Sequence, residues 1–319
     1  MKTKRLGKTR LQVSIVGLGG ANLGLKGEND PYLQHIVTPH KSIADHELGV
    51  NTVLTAIDNG VRLIDTAPKY EAGGSEKIVG DALSCRTENE NVVVTTKIGC
   101  TYPGDGFDHS YGKAMASFHK SCERLNRSHF EIVYLHDPMD YSMDHVMGKN
   151  GSMQALRDLQ RDGRVENIGI AANDPGAAAN YMETGEFSVA TISGAWSLIK
   201  QKAKERILPV ATKYNMGIII TTAIERGVLA HGPIAGVRYL ERDFSADCLS
   251  RIVEIKKLCE EEKIPLVAVA LQWCTRHPLV ASVIPGARTP EEALENTLSG
   301  EVEIPEKFWE KLDPLIQDF

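Results

Sequence analysis

The sequence predicts an α/β protein, a (β/α)8 TIM barrel with an N-terminal β-hairpin. Short β-branched runs alternate with longer amphipathic stretches along the 319 residues. Eight such runs can be counted, nearly all followed by a helical pattern. Successive runs end about 25–40 residues apart for most of the chain, the spacing of β/α units in a closed barrel. The expected strands are 14–17, 62–65, 92–97, 132–136, 167–171, 189–193, 217–222 and 281–284.

The helices follow from apolar spacing and from their stop signals. Residues 42–59 place Ile43, Leu48, Val50, Val53, Leu54 and Ile57 at roughly helical intervals, and Gly60 ends the run. Residues 75–83 open with Ser75 as an expected N-cap and Glu76 in the first turn. Further helices are expected at 112–125 and 152–162, and a pair at 249–262 and 265–275 divided by Pro265, expected at the first helical position. The segment Lys4-Arg5-Leu6-Gly7-Lys8-Thr9 reads as a hairpin turn that plugs the barrel bottom. Two loops, 26–38 and 100–110, are long enough to overhang the C-terminal face of a barrel, where substrates bind. The whole of 1–319 is expected to be one barrel domain. A doubly wound dinucleotide-binding sheet is the competing fold. The segment Gly17-Leu18-Gly19-Gly20-Ala21-Asn22, however, lacks the third glycine of its fingerprint.

Composition narrows the partners. Hydrophobic residues make up 42% of the chain, enough for a large core. The formal net charge of -6 gives no electrostatic footprint for nucleic acid or an anionic membrane, so a small-molecule substrate is expected. Cys85, Cys100, Cys122, Cys248, Cys259 and Cys274 form no CxxC pair and no zinc spacing, and no metal is expected. Lys2, Lys4 and Arg5 precede an apolar stretch at 13–25, in the manner of a signal peptide, but Gly17, Gly19, Gly20, Asn22 and Gly24 break it. A cytoplasmic protein with reduced thiols is expected. Its oligomeric state is left open.

Asp65, Lys97 and His136 end expected strands, and Tyr70 follows shortly after Asp65. Strand C-termini of a parallel barrel open on one face, so these residues converge although distant in sequence. Their chemistry is coherent. A carbonyl that accepts a hydride needs a proton donor at its oxygen, and a tyrosine with a reference pKa near ~10 needs help to serve at neutral pH. A lysine ammonium within about 4–6 Å lowers that pKa. Tyr70 is thus the acid/base, Lys97 its activator, Asp65 the anchor of Lys97, and His136 the group that orients the substrate oxygen. Each residue also has a plain structural reading: a turn cap, a loop aromatic, a solvated strand-end charge, and a His136–Asp137 pair. The joint pattern favours chemistry.

On the stretch from Ile64 to Tyr70 with Gly74-Ser75-Glu76, on Thr96-Lys97, Leu135-His136-Asp137-Pro138, residues 167–173, Arg226-Gly227-Val228-Leu229, and Ile284-Pro285-Gly286-Ala287-Arg288-Thr289 with Glu295-Asn296, the chain resembles the aldo-keto reductases over essentially its whole length. The resemblance implies a (β/α)8 barrel, NAD(P)(H) and an Asp–Tyr–Lys–His tetrad, all of whose positions match. Gly185-Glu186-Phe187-Ser188-Val189 and Gly194-Ala195-Trp196-Ser197-Leu198 look most like the branch that oxidises aldoses, or pyridoxal, to lactones.

The resemblance also implies cofactor contacts. Asn173 aligns with the asparagine that binds the nicotinamide carboxamide, with Ala172 in place of the usual serine. Ser193 stands where a glutamine usually helps, and Trp196 where a tyrosine usually stacks on the nicotinamide ring. Thr222, Gly286, Ala287 and Asn296 belong to the same expected site. A helix beginning near Pro290 offers its N-terminus to phosphate, and Arg288 can grip a phosphate or stack on adenine. Glu292 stands where members that prefer NADP carry an arginine; a carboxylate there repels a 2′-phosphate and accepts a hydrogen bond from a ribose hydroxyl. NAD or NADP is therefore expected, with NAD favoured. The expected activity is an aldose-type dehydrogenase whose loop residues Asn29, Asp30, Tyr32, Asp105, Asp108 and His109 bind sugar hydroxyls. The alternatives are a general NADPH-dependent aldehyde or ketone reductase and a slow-turnover, cofactor-binding regulatory subunit.

Overall fold

The computed structural model describes residues 1–25, 45–86, 91–100, 106–234 and 244–319. The loop 26–38 lies outside them, as does Asp105 of the second long loop. A two-stranded antiparallel hairpin, β1 (Thr3–Arg5) and β2 (Gln12–Ser14), precedes eight parallel strands. These are β3 (Leu18–Gly19), β4 (Leu63–Asp65), β5 (Val93–Ile98), β6 (Phe130–His136), β7 (Val165–Ala172), β8 (Val189–Ile192), β9 (Gly217–Ile220) and β10 (Val280–Val283). The helices are α1 (His46–Asp58), α2 (Gly74–Ser84), α3 (Tyr111–Leu125), α4 (Met143–Met147), α5 (Ser152–Arg161), α6 (Pro175–Met182), α7 (Ile207–Tyr214), α8 (Val228–His231), α9 (Ala246–Glu262), α10 (Leu266–Arg276), α11 (Pro290–Ser299) and α12 (Glu306–Leu312).

The strands pair in chain order from β3 to β10. The ends then meet: the Gly17 amide donates to the Val283 carbonyl at 2.8 Å, and the Gly19 amide to the Pro285 carbonyl at 2.9 Å. Parallel bridges join Val16 to Val283 and Gly19 to Gly286. A closed, sequentially ordered sheet is the (β/α)8 barrel; a doubly wound sheet would reverse its order at a switch point.

Alternation along each strand decides what faces the barrel interior. Leu63, Val93, Ile132, Tyr134, Val189 and Ile219 pack together inside. Their neighbours Ile64, Val94, Val133, Ala190, Ile218 and Ile220 pack outward against the helices. The hairpin does plug the bottom. Leu6 is fully buried in the interior cluster, and Gly7 lies so close to Gly217 that a Cβ there would stand 2.1 Å from the Gly217 amide nitrogen.

Three local expectations are corrected. Ser14 pairs with Thr3 in the hairpin, so the first barrel strand is Leu18–Gly19, displaced from the expected 14–17. Its glycine-rich end admits the close approach of Ile284, which a longer side chain would block. Ser75 is not the cap of α2. The cap is Gly73, at φ 87°, and the buried Ser75 hydroxyl instead donates to the Gly20 carbonyl at 2.7 Å, tying the helix to the turn after β3. Pro265 is the cap of α10 and does not begin it. Among the described residues no helix is long and apolar enough to cross a membrane.

Candidate active site

The interior alternation carries through to the strand tops. Asp65 shares the face of Leu63; Lys97 shares that of Val93; His136 shares that of Ile132 and Tyr134. All three are buried at the C-terminal end of the barrel. Neighbouring strands bring them into contact, since Asp65 on β4 lies opposite Thr95 on β5. Lys97 Nζ donates to Asp65 Oδ2 at 2.6 Å and to the Thr66 carbonyl at 2.9 Å. The Thr95 hydroxyl donates to the other oxygen, Asp65 Oδ1, at 2.7 Å. A buried carboxylate with both oxygens engaged holds the ammonium where it is.

Tyr70 opens the short helical turn Tyr70–Gly73 beyond β4, where Glu71 and Ala72 have φ of 48° and 49°. Lys97 Nζ stands 4.6 Å from the Tyr70 ring centroid. The His136 ring meets the Tyr70 ring edge-on at 6.3 Å. The four side chains expected to act together therefore do cluster at one place.

The electrostatics differ from expectation in one respect. Burial raises the Tyr70 phenol above its ordinary value; Lys97 pulls it down, but by less, and Asp65 opposes Lys97. The phenol therefore stays protonated at neutral pH. Burial also lowers Lys97, but the charges of Asp65 and Tyr70 outweigh it and hold the ammonium above its usual range. His136 is held well below the ordinary imidazole range by burial, then by Lys97 and Lys69, and is neutral.

Cys100, Phe107 and Lys69, whose roles here sequence reasoning passed over, frame this cluster, together with the expected Asp137 and Asn173. Cys100 Sγ lies 3.1 Å from His136 Nδ1. Phe107 sets its ring edge-on to His136 at 5.4 Å, and Lys69 Nζ stands 4.4 Å over the Phe107 face. Asp137 accepts from the Asn173 amide at 2.8 Å and from Asn173 Nδ2 at 2.9 Å. Lys69 and Cys100 fall within three residues of tetrad positions in the chain, and that proximity was the available signal. Phe107 had none.

A cleft opens where the tops of β9 and β10 meet the start of α11. Thr222, Arg226, Gly286, Arg288, Glu292 and Asn296 line it. The Gly194 amide donates to Thr222 Oγ1 at 2.6 Å, linking the end of β8, with Ser193 beside it, to the end of β9. Asn296 Nδ2 donates to the Gly286 carbonyl at 3.2 Å, and Ala287 is fully buried behind it. Thr289 caps α11, with Pro290 in its first turn. Arg288 and Glu292 form an ion pair: the Arg288 amide donates to Glu292 Oε2 at 2.8 Å, and Arg288 Nε to Oε1 at 3.0 Å. A guanidinium and a helix start suit phosphate, while a carboxylate and an amide suit ribose hydroxyls. The donor set thus fits a dinucleotide.

Two expected contacts are not brought to the site. Trp196 is 4% exposed, donates from Nε1 to the Cys274 carbonyl at 3.2 Å, and stacks on Trp273 at 4.9 Å between ring centroids. Its surface is used in packing β8's following loop onto α10, so it does not offer a face to a nicotinamide ring. His109 is fully buried with Nδ1 3.2 Å from the Ser152 hydroxyl, so it is not free for sugar hydroxyls. Asp108 accepts from the Ser110 amide at 2.9 Å and forms the turn before α3. Asn29, Asp30, Tyr32 and Asp105 lie outside the described residues. Among the described residues no group of three or more His, Cys, Asp or Glu side chains is arranged to hold a metal ion.

Comparison with known proteins gives a consistent picture. Residues 17–317 match the model of the Aldo/keto reductase family. A pyridoxal 4-dehydrogenase from Microbacterium luteolum is 28% identical, over 97% of this chain and 96% of that protein. A D-threo-aldose 1-dehydrogenase from a Pseudomonas species is 27% identical, over 95% of this chain and 94% of that protein. The solved structure of an aldo-keto reductase from Bacillus halodurans, in its holo form, superposes with a TM-score of 0.80 over 99% of this chain and 96% of that one, at 20% identity. That last likeness concerns the fold.

Proposed function

The chain belongs to the aldo/keto reductase family and is an oxidoreductase, and from that premise we propose that it is a single-domain, nicotinamide-dependent dehydrogenase of sugar-like hemiacetal hydroxyls, with Tyr70 as its acid/base. One observation carries the reading: Lys97, held 2.6 Å from Asp65, stands 4.6 Å from the Tyr70 ring at the barrel mouth. Relatives at 28% and 27% identity named for pyridoxal and aldose oxidation support the substrate class.

Asn173, Ser193, Thr222, Gly286, Ala287, Arg288, Glu292 and Asn296 are the residues that would hold the dinucleotide. A bound nicotinamide supplies the hydride acceptor for oxidation, or its donor for reduction. The protein's own part is positioning and proton movement. In oxidation Tyr70, once its own proton has left to solvent, takes the proton of the reacting hydroxyl at its phenolate oxygen, and Lys97 stabilises that phenolate against burial. Asp65 keeps Lys97 aimed at that oxygen. His136, neutral, orients the substrate oxygen by a hydrogen bond. Glu292, paired with Arg288, sets a carboxylate in the cleft that repels a 2′-phosphate, which favours NAD.

A second reading, carbonyl reduction, is favoured by one specific observation. Burial keeps Tyr70 protonated, the form that donates to a carbonyl oxygen. The experiment that separates the two measures turnover of NAD+ and NADP+ with free aldoses and pyridoxal, then of NADH and NADPH with aldehydes, each against Tyr70→Phe. Oxidative turnover lost in the variant supports the dehydrogenase. Turnover only in the reductive direction replaces it with the reductase. Turnover that survives in Tyr70→Phe overturns the mechanism.

A further inference from the structure

His136 ends β6 with its two ring nitrogens in different company. Nδ1 lies 3.1 Å from Cys100 Sγ, and Nε2 lies 3.7 Å from Asp137 Oδ2. Cys100, His136 and Asp137 are all buried, so no solvent competes for these contacts. Cys100 is brought there by the backbone. Gly99 has φ 105°, a left-handed turn at the top of β5, and a Cβ at that position would stand 2.3 Å from the His109 ring. The turn is pinned by a bridge between Cys100 and Phe107 and by the Asp108 amide, which donates to the Gly99 carbonyl at 2.7 Å.

A neutral imidazole has one N–H and one bare nitrogen, and the neighbours of each decide which is which. Suppose the proton were on Nδ1. It would point at a thiol sulfur, a weak acceptor, while the bare Nε2 lone pair faced the Asp137 carboxylate. With the proton on Nε2, the ring N–H faces the carboxylate side, and Nδ1, a good acceptor, receives the thiol proton. The second arrangement satisfies both neighbours. Burial raises the Cys100 thiol to about 12, so it keeps the proton it must donate.

We propose that Cys100 is a positioning residue that selects the Nε2–H tautomer of His136, so that the histidine presents a donor at the barrel mouth. Its use for the substrate oxygen rests on the reading of His136 given above; the tautomer itself does not. Asp137 contributes from the other side while its oxygens hold Asn173, which links the histidine's tautomer to the segment after β7.

The test is 15N NMR of histidine-labelled, full-length protein, with the His136 signals assigned by their loss in His136→Gln. A protonated Nε2 and a bare Nδ1 are expected in the wild type and in Cys100→Ser, whose hydroxyl also donates. In Cys100→Ala the signals should move toward a mixture of tautomers. On whichever substrate the wild type turns over, Cys100→Ala should lower kcat about three- to ten-fold, the worth of one ordinary hydrogen bond, with KM for the cofactor unchanged and Cys100→Ser restoring most of the loss. A wild-type spectrum with the proton on Nδ1 overturns the proposal, as does an unchanged tautomer in Cys100→Ala. The NMR readout needs no substrate, so a wrong substrate class would leave it standing.

Discussion

Lys97 and Asp65, on the neighbouring strands β5 and β4, form an ion pair of 2.6 Å with side-chain exposures of only 3% and 5%. Two charges are removed from water together, and each depends on the other. Lys97→Met should therefore destabilise the fold as well as stop proton transfer, since it leaves Asp65 buried without its cation. The expected cost is roughly 3–5 kcal/mol, read from the shift in urea midpoint. Tyr70→Phe should lose at least about 100-fold in kcat with little change in stability. A Lys97→Met protein as stable as wild type would show that the pair is solvated, contrary to the geometry.

The pH dependence of catalysis follows from the phenol. Burial holds Tyr70 above its ordinary value of 10.0. Oxidation of an alcohol needs the phenolate, so its rate should climb as pH rises through the alkaline range. Reduction uses the phenol and should not share that climb. Parallel rate–pH profiles in both directions would place the controlling ionisation elsewhere.

His109 offers a stability test. Burial, chiefly, lowers its pKa from 6.5 to about 4. The unfolded chain then binds this proton at a higher pH than the folded one, so stability is full above about 6.5 and is lost as pH falls toward about 4. The loss amounts to about 3 kcal/mol. His109→Phe should flatten the stability–pH curve over that window, as measured by urea unfolding at a series of pH values. An equal slope in both proteins would mean that His109 titrates normally.

Trp196 separates packing from cofactor binding. Its indole stacks on Trp273 and donates to the Cys274 carbonyl. Trp196→Leu should cost about 2–4 kcal/mol of stability and leave the dissociation constant of the dinucleotide, by fluorescence or calorimetry, unchanged. A large loss of affinity in a protein of wild-type stability would restore the stacking role that the resemblance implied.

Glu292 tests cofactor choice. It is paired with Arg288 at the start of α11. Glu292→Gln should remove the carboxylate that repels a 2′-phosphate and raise kcat/KM with NADP+ relative to NAD+ by about ten-fold, worth about 1.4 kcal/mol. No change in that ratio would remove Glu292 from the recognition of the ribose.

Much of the fold was legible because barrel units repeat. The β-branched runs at 92–97 and 132–136 and the glycine stop at Gly60 are local signals; β5 and β6 fall within a residue or two of where they were expected, while α1 begins at His46, four residues later than expected, because Asp45 caps it. The tetrad was legible for the same reason: Asp65, Lys97 and His136 end expected strands, and the strand C-termini of a parallel barrel open on one face. The failures were of another kind. Ser75 looked like a cap because a serine before a glutamate usually is one, and only the approach of the Gly20 carbonyl from β3's far side gave its hydroxyl a different partner. Trp196 stood at a cofactor position by alignment, yet its ring turned outward to Trp273, some way along the chain.

By itself, then, the sequence determined the element order, the closed barrel those elements form, and which residues reach its mouth, because periodicity and turn chemistry act over a few neighbouring residues. The tertiary structure alone decided the company each of those residues keeps. Burial outweighs Lys97 at the Tyr70 phenol, and a thiol from the top of β5 meets the ring of His136. Such contacts depend on desolvation and on distances between strands, quantities that exist only once the barrel has closed.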